Sequence, residues 1–370
     1  MTTIESLAPR SPVTRPDVVI AVASIPNPED CQNPYLRLLY KSQEEGLLRI
    51  VPCPGVRFRW LWRNARNIDI LHIHWPSFLY ESPNARHRWK RLATVLAYFR
   101  LAKALGIKLV WTLHNVMPHQ RMPGRIDVAA RRALLGLVDH VVAHEPEAVE
   151  EARRCFRRRF SWSIVPHMSY RGAYPEGPGR DEARHALQLP QDARVYLYLG
   201  AIRPNKRVPQ IIRAFRSARQ RGEYLVVAGA PATPHQETEV CKAKDRDDSV
   251  RLHLKAVPDS QVALFHEAAD LGVIGSRITT SGTMYLHLTY DLPVITPLET
   301  FPKRVLSLPC SIAYEDPAVD LAEAIAHARS INMEAARAAA REVAEQRHPD
   351  KVSRQLAEVF RKLVEGRNST

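Results

Sequence analysis

The chain has 370 residues, 45% hydrophobic and 25% charged, enough for about two soluble domains with real cores. No run of about 18 apolar residues occurs, which excludes a membrane-spanning helix, and five scattered cysteines with no C-x-x-C pair argue against a disulfide framework or zinc site and for a reducing, cytoplasmic setting. The net charge of +14 is lopsided: residues 1–185 carry 28 Lys/Arg against 17 Asp/Glu, or +11, and the remainder 25 against 22, or +3, so the first half is expected to face a polyanion such as anionic lipid, nucleic acid or a phosphate-bearing substrate.

Residues 1–16 lack the apolar stretch of a signal peptide and read as a short disordered tail. Between 17 and 175, apolar runs at 18–23, 47–51, 70–74, 108–113, 140–144 and 162–166 alternate with helical patterns at 34–46, 86–106 and 126–137. The runs are continuous rather than alternating, as parallel strands covered on both faces should be. The Gly- and Pro-rich stretch "YRGAYPEGPGRDEA" (170–183) reads as a linker. The pattern restarts over 185–345, with runs at 194–200, 224–229, 250–254, 270–275 and 292–296 and helices at 207–221, 259–269, 282–290 and 318–329. The stretch 332–366 is charged, Ala-rich and helical, and its last part, within 346–370, is placed to pack back on the first domain. Two successive β/α repeats predict an α/β protein of two Rossmann-like, doubly wound domains facing a cleft, with ligands at strand carboxyl ends.

Several such ends carry unusual chemistry. "LHIHWPS" places His72 and His74 on one strand face, followed by Trp75, a natural platform for a sugar ring; no third ligand is evident, so no metal is expected. "TLHNVMPH" ends a buried strand in His114, Asn115 and His119, and "HVVAHE" ends another in His144 and Glu145. In the second half, "GAIRPNKRV" sets Arg203 and Lys206 just before a helix, where they would neutralise a diphosphate. Ser281, Gly282 and Thr283 sit at a helix start, whose free N–H groups favour an anion. The simpler readings are a solvated basic turn and a plain N-cap. "VAGAPATP" is no dinucleotide fingerprint. Arg86, Arg88, Lys90 and Arg91 around Trp89, and Arg157, Arg158 and Arg159 between Phe156 and Phe160, suit an anionic membrane surface. They would also suit nucleic acid, but no nucleic-acid motif accompanies them.

The stretches "NPYLRLLY" (33–40), "LHIHWP", "TLHNVMPH", "GAIRPNKRV", "VVAGAPATP" and "SGTMYLHLTYDLPVITP" (281–297) together resemble GT-B glycosyltransferases, most closely the bacterial exopolysaccharide (xanthan-type) β-mannosyltransferases. The resemblance implies the GT-B architecture and transfer of a hexose, mannose first, from a nucleotide sugar, GDP-mannose first, to a lipid-linked oligosaccharide or other saccharide acceptor. It implies no metal or other cofactor, no nucleic acid, and a cytoplasmic protein peripheral on the inner face of the plasma membrane. Arg203, Lys206, Ser281, Gly282 and Thr283 would hold the donor; Asn33, Tyr35, His74, Trp75 and Asn115 would contact sugar or acceptor. The E-x7-E element of many retaining relatives would fall on Ile278 and Leu286, neither acidic, which favours inversion. Inversion needs a base on the acceptor side. His114 comes first, then His119 and Glu145, with His144, Glu29 and Asp30 behind them. A retaining enzyme with a UDP-sugar donor and a GT-B-fold sugar-nucleotide epimerase are the alternatives.

Overall fold

The computed structural model describes residues 19–117, 124–276, 282–298 and 303–366. Strands β1 (Ile20–Ile25), β2 (Leu48–Val51), β3 (Ile70–Ile73), β4 (Lys108–Leu113), β5 (His140–Ala143) and β6 (Trp162–Ile164) form one sheet in the order β2-β1-β3-β4-β5-β6. Strands β7 (Arg194–Leu199), β8 (Glu223–Ala228), β9 (Val250–His253), β10 (Leu271–Val273), β11 (Val294–Pro297) and β12 (Ser311–Tyr314) form a second, ordered β12-β11-β10-β7-β8-β9. Every described pairing is parallel. All six residues of β1 and all four of β3 are buried, Ser24 and His72 included, which is why these strands read as continuous rather than alternating runs. The order reverses between β1 and β3 and between β7 and β10, and ligands collect at such switch points.

Where the expected helices differ, the cause is local. The pattern at 34–46 closes as a short helix, Tyr35–Leu39, followed by a single tight turn over Lys41–Gln43. The stretch 332–366 divides into Met333–Gln346 and Pro349–Glu365, because a proline cannot donate into a continuing helix. The linker stretch is pinned rather than loose: the Tyr170 amide donates to Thr289 Oγ1 at 2.8 Å and the Ser169 amide to the Arg347 carbonyl at 2.8 Å.

The last helix crosses back to the first sheet. Leu356, Ala357 and Phe360 join Val22, Leu36 and Leu39 in one buried cluster. Phe360 meets the edge of the His72 ring, Ser353 bonds to Ser42, and Lys41 pairs with Asp350 at 2.7 Å. In the second sheet, Gly229 has φ of +148° and sits where an added Cβ would lie 2.0 Å from the Gly200 carbonyl oxygen. The ends of β7 and β8 are therefore pressed together beside the loop that carries Arg203.

Candidate active site

The second domain supplies a cationic wall. β7 ends at Leu199, Gly200 turns the chain, and Pro204–Lys206 forms one tight helical turn. Lys206 is half-buried, and its Nζ donates to Ser276 Oγ at 3.3 Å. Burial, then the nearby Arg203 cation, push its ammonium below the usual lysine range. Neither cation has an acidic partner among the described residues, so both are poised for a ligand's negative charge. The loop is held by close backbone approach: a Cβ on Gly275 would lie 2.2 Å from the Lys206 carbonyl oxygen. Facing it, the helix Gly282–Thr289 begins with Gly282 and Thr283. Thr283 Oγ1 is 4.0 Å from the Cβ position of Gly200, so this helix start and the cation loop share one space.

The first domain supplies a wall of imidazoles. His72 Nε2 lies 2.7 Å from Thr112 Oγ1, and its Nδ1 lies 2.7 Å from the Tyr40 hydroxyl. That hydroxyl is 3.0 Å from His74 Nε2; His74 Nδ1 is 3.0 Å from His114 Nε2; His114 Nδ1 is 3.3 Å from His144 Nε2. The chain is anchored where His144 Nδ1 meets the Val165 carbonyl at 2.9 Å. A carbonyl only accepts, so His144 carries its proton on Nδ1 and its Nε2 accepts from His114 or from the Tyr35 hydroxyl, 3.2 Å away. Burial holds these groups neutral: it pushes His72 down to about 3 and His144 to about 4. His74 and His114 also lie well below the usual range, through burial first and neighbouring imidazoles second.

This geometry revises several residue assignments. His74 and Tyr35 are buried inside the network and present no surface to a sugar. Asn33 is exposed, and its Oδ1 accepts from the Tyr35 amide at 2.9 Å, shaping the start of a helix. Both His114 nitrogens already have imidazole partners. His114 and Asn115 remain partly exposed, as does Trp75, whose ring stacks on His114 with centroids 4.4 Å apart and planes at 19°. Glu145 is not a free base. Its Oε1 accepts from Tyr285 at 3.2 Å and from Arg347 Nη2 at 3.1 Å, both buried, and so ties the domains together. Burial raises its carboxyl pKa, with Arg347 pulling the other way. His119 and Ser281 lie outside the described residues.

Because the Glu145–Arg347 pair is buried, removing one partner should be severe. Arg347→Met is expected to cost about 3–5 kcal/mol of stability by stranding the carboxylate. The Glu145→Gln/Arg347→Met double variant should recover part of that in denaturant unfolding. A single variant that unfolds at the wild-type midpoint would disprove the tie.

Comparison with known proteins agrees with this two-walled cleft. Residues 179–296 match the family model for glycosyl transferases group 1. Over 292 residues the chain is 27% identical to GDP-mannose:glycolipid 4-beta-D-mannosyltransferase of Xanthomonas campestris pv. campestris, spanning 77% of this chain and 76% of that one. The chain is a GT-B glycosyltransferase. Its fold overlays sucrose-phosphate synthase from Thermosynechococcus elongatus with a TM-score of 0.70 and 14% identity, covering 94% of this chain and 100% of the other. The Anabaena HepE protein in complex with UDP and glucose gives 0.68 and 13%, covering 93% and 100%.

Two features of the glycosyltransferase escaped sequence reasoning. His167, just past β6, is buried, and its ring stacks on Tyr285 with centroids 5.0 Å apart and planes at 12°. It follows a strand end, as His114 and His144 do, so the same rule could have found it. The second is a helix, Phe58–Asn64, whose Phe58 and Trp62 are exposed and, with Arg59, Arg63 and Leu101, line a groove of about 290 Å³. Trp89 is likewise exposed rather than part of the buried stripe of its helix. Arg153, Arg157, Arg158 and Arg159 surround an open concavity of about 550 Å³.

Proposed function

We propose that the glycosyltransferase moves a hexose from a nucleotide sugar to a lipid-linked oligosaccharide in exopolysaccharide or glycan assembly, with inversion, and that mannose from GDP-mannose is the first donor to test. The observation that carries this is the pair of cations, Arg203 and Lys206, without acidic partners among the described residues, opposite a wall of neutral imidazoles. The relative's printed donor and acceptor, GDP-mannose and a glycolipid, point the same way.

In the proposed reaction the bond from the anomeric carbon to the diphosphate oxygen breaks, and its electron pair leaves with the nucleoside diphosphate. Arg203, Lys206 and the N–H groups at Gly282 and Thr283 stabilise that charge, the task a metal ion performs elsewhere. An acceptor hydroxyl forms the new bond from the opposite face, and its proton passes to the imidazole wall. His114 is the partly exposed member an acceptor can reach, and taking the proton requires one of its two imidazole contacts to open. The basic concavity and the exposed Phe58, Trp62 and Trp89 hold the first domain on an anionic membrane surface.

The test is a screen of nucleotide sugars for nucleoside-diphosphate release, with a lipid-linked acceptor mimic in anionic or neutral vesicles. Release from GDP-mannose, dependent on acceptor and faster on anionic vesicles, is the expected result. Release from UDP-sugars alone would change the donor, and no release from any would end the reading. An α-linked product from an α-linked donor would overturn inversion.

A further inference from the structure

Five imidazoles meet at the cleft, and four of them have both ring nitrogens engaged: His72, His74, His114 and His144. His167 is the exception. Its Nδ1 lies 2.8 Å from the Met168 carbonyl, so Nδ1 carries the proton and Nε2 carries a lone pair with no protein partner among the described residues. The ring cannot swing freely, since Tyr285 stacks on it and the Tyr35 ring lies against it with centroids 4.9 Å apart. Nε2 points at the start of the helix Gly282–Thr289: it lies 3.6 Å from where a Cβ on Gly282 would sit. That helix start faces Gly200 and the cation loop through Thr283, so one side holds the diphosphate and the other meets His167.

We propose that His167 Nε2 accepts a hydrogen bond from one hydroxyl of the sugar being transferred, and so determines which donors the enzyme accepts. The inference rests on the glycosyltransfer reading above. A lone pair there suits a hydroxyl and repels a phosphate oxygen. The Arg347 guanidinium donates to the His167 carbonyl at 3.4 Å, and burial, the neighbouring His144 and this cation all oppose a second proton on the ring. His167 is thus an acceptor of a hydrogen bond, not a phosphate-binding cation. Any side chain at Gly282 would fill the space, which also meets the Tyr170 hydroxyl 2.7 Å from the Cβ position.

The experiment measures calorimetric binding of GDP, GDP-mannose and the monodeoxy GDP-mannose analogues to wild type, His167→Ala and His167→Gln, each first checked by thermal melting. If UDP-glucose binds and GDP-mannose does not, UDP, UDP-glucose and its monodeoxy analogues are used. His167→Ala is expected to weaken the sugar nucleotide about 10- to 100-fold and the free diphosphate less than about twofold. One monodeoxy analogue should bind wild type and His167→Ala alike. His167→Gln, whose amide oxygen reaches the Nε2 position, should restore part of the loss. Equal weakening of diphosphate and sugar nucleotide, or an undiminished penalty for every monodeoxy analogue in His167→Ala, would overturn the assignment while leaving glycosyltransfer standing. Failure of wild type to bind any of these nucleotides would overturn both.

Discussion

Lys206→Ala is expected to lower kcat/KM for sugar transfer roughly 100- to 1,000-fold while leaving the protein folded. The ammonium sits half-buried beside Arg203 and donates to the Ser276 hydroxyl, its one hydrogen-bond partner among the described residues. Such a site works against the free protein, because burial and the neighbouring cation both disfavour the charge. Only an incoming polyanion makes the arrangement favourable. Charge on the departing diphosphate grows as the anomeric bond breaks, so most of the loss should appear in kcat rather than KM. The melting temperature should hold or rise, since a repulsive charge is removed. Retention of activity within tenfold of wild type would place the diphosphate elsewhere.

The protein should also unfold in mild acid, near pH 5. His72, His74, His144, His167, His266 and His287 are all buried, and burial holds each below its ordinary range. Above pH about 6.5 the imidazoles are neutral in both folded and unfolded chains, so they impose no pH-dependent cost. Below it, the unfolded chain takes up protons that the folded one refuses, and stability falls with pH until the depressed folded values are reached. Each group contributes about 1.4 kcal/mol per pH unit in that window. Six together overtake a typical stability of about 5–15 kcal/mol within roughly two units. Near-UV circular dichroism followed from pH 8 downward should show one steep transition with uptake of several protons. A fold that persists to pH 4 would contradict this.

The two-sheet GT-B architecture was legible because its strands are buried on both faces, so runs such as Ile20–Ile25 and Lys108–Leu113 are mostly apolar and do not alternate with polar residues. Ser311–Tyr314 was not, since it is the edge strand, exposes Ala313 and ends a short mixed stretch. Pro234–Lys244 also went unread: only Val240 and Ala243 of that helix are buried, too few to mark an apolar face. At the site, strand ends flagged Lys206, His114 and Glu145, because topology alone brings strand ends to the cleft. Topology does not say which way a side chain turns there. His74 points into the protein and Trp75, its neighbour, toward the cleft edge. The partner of Glu145 lies 202 residues away at Arg347, between two helices whose pattern read as one, and no local signal announces it.

The helix Pro349–Glu365 has a bearing on how the chain is made. Synthesis runs from the N-terminus, and domains generally fold in that order as they emerge. Here the first sheet is covered by residues translated only after the second sheet, among them Leu356 and Phe360. On the ribosome the first domain therefore waits with Leu36, Leu39 and the His72 face uncovered while the second domain is completed. The first sheet is thus closed only after the second has been made, and a ribosome stalled before residue 349 would hold a first domain open to water along that face.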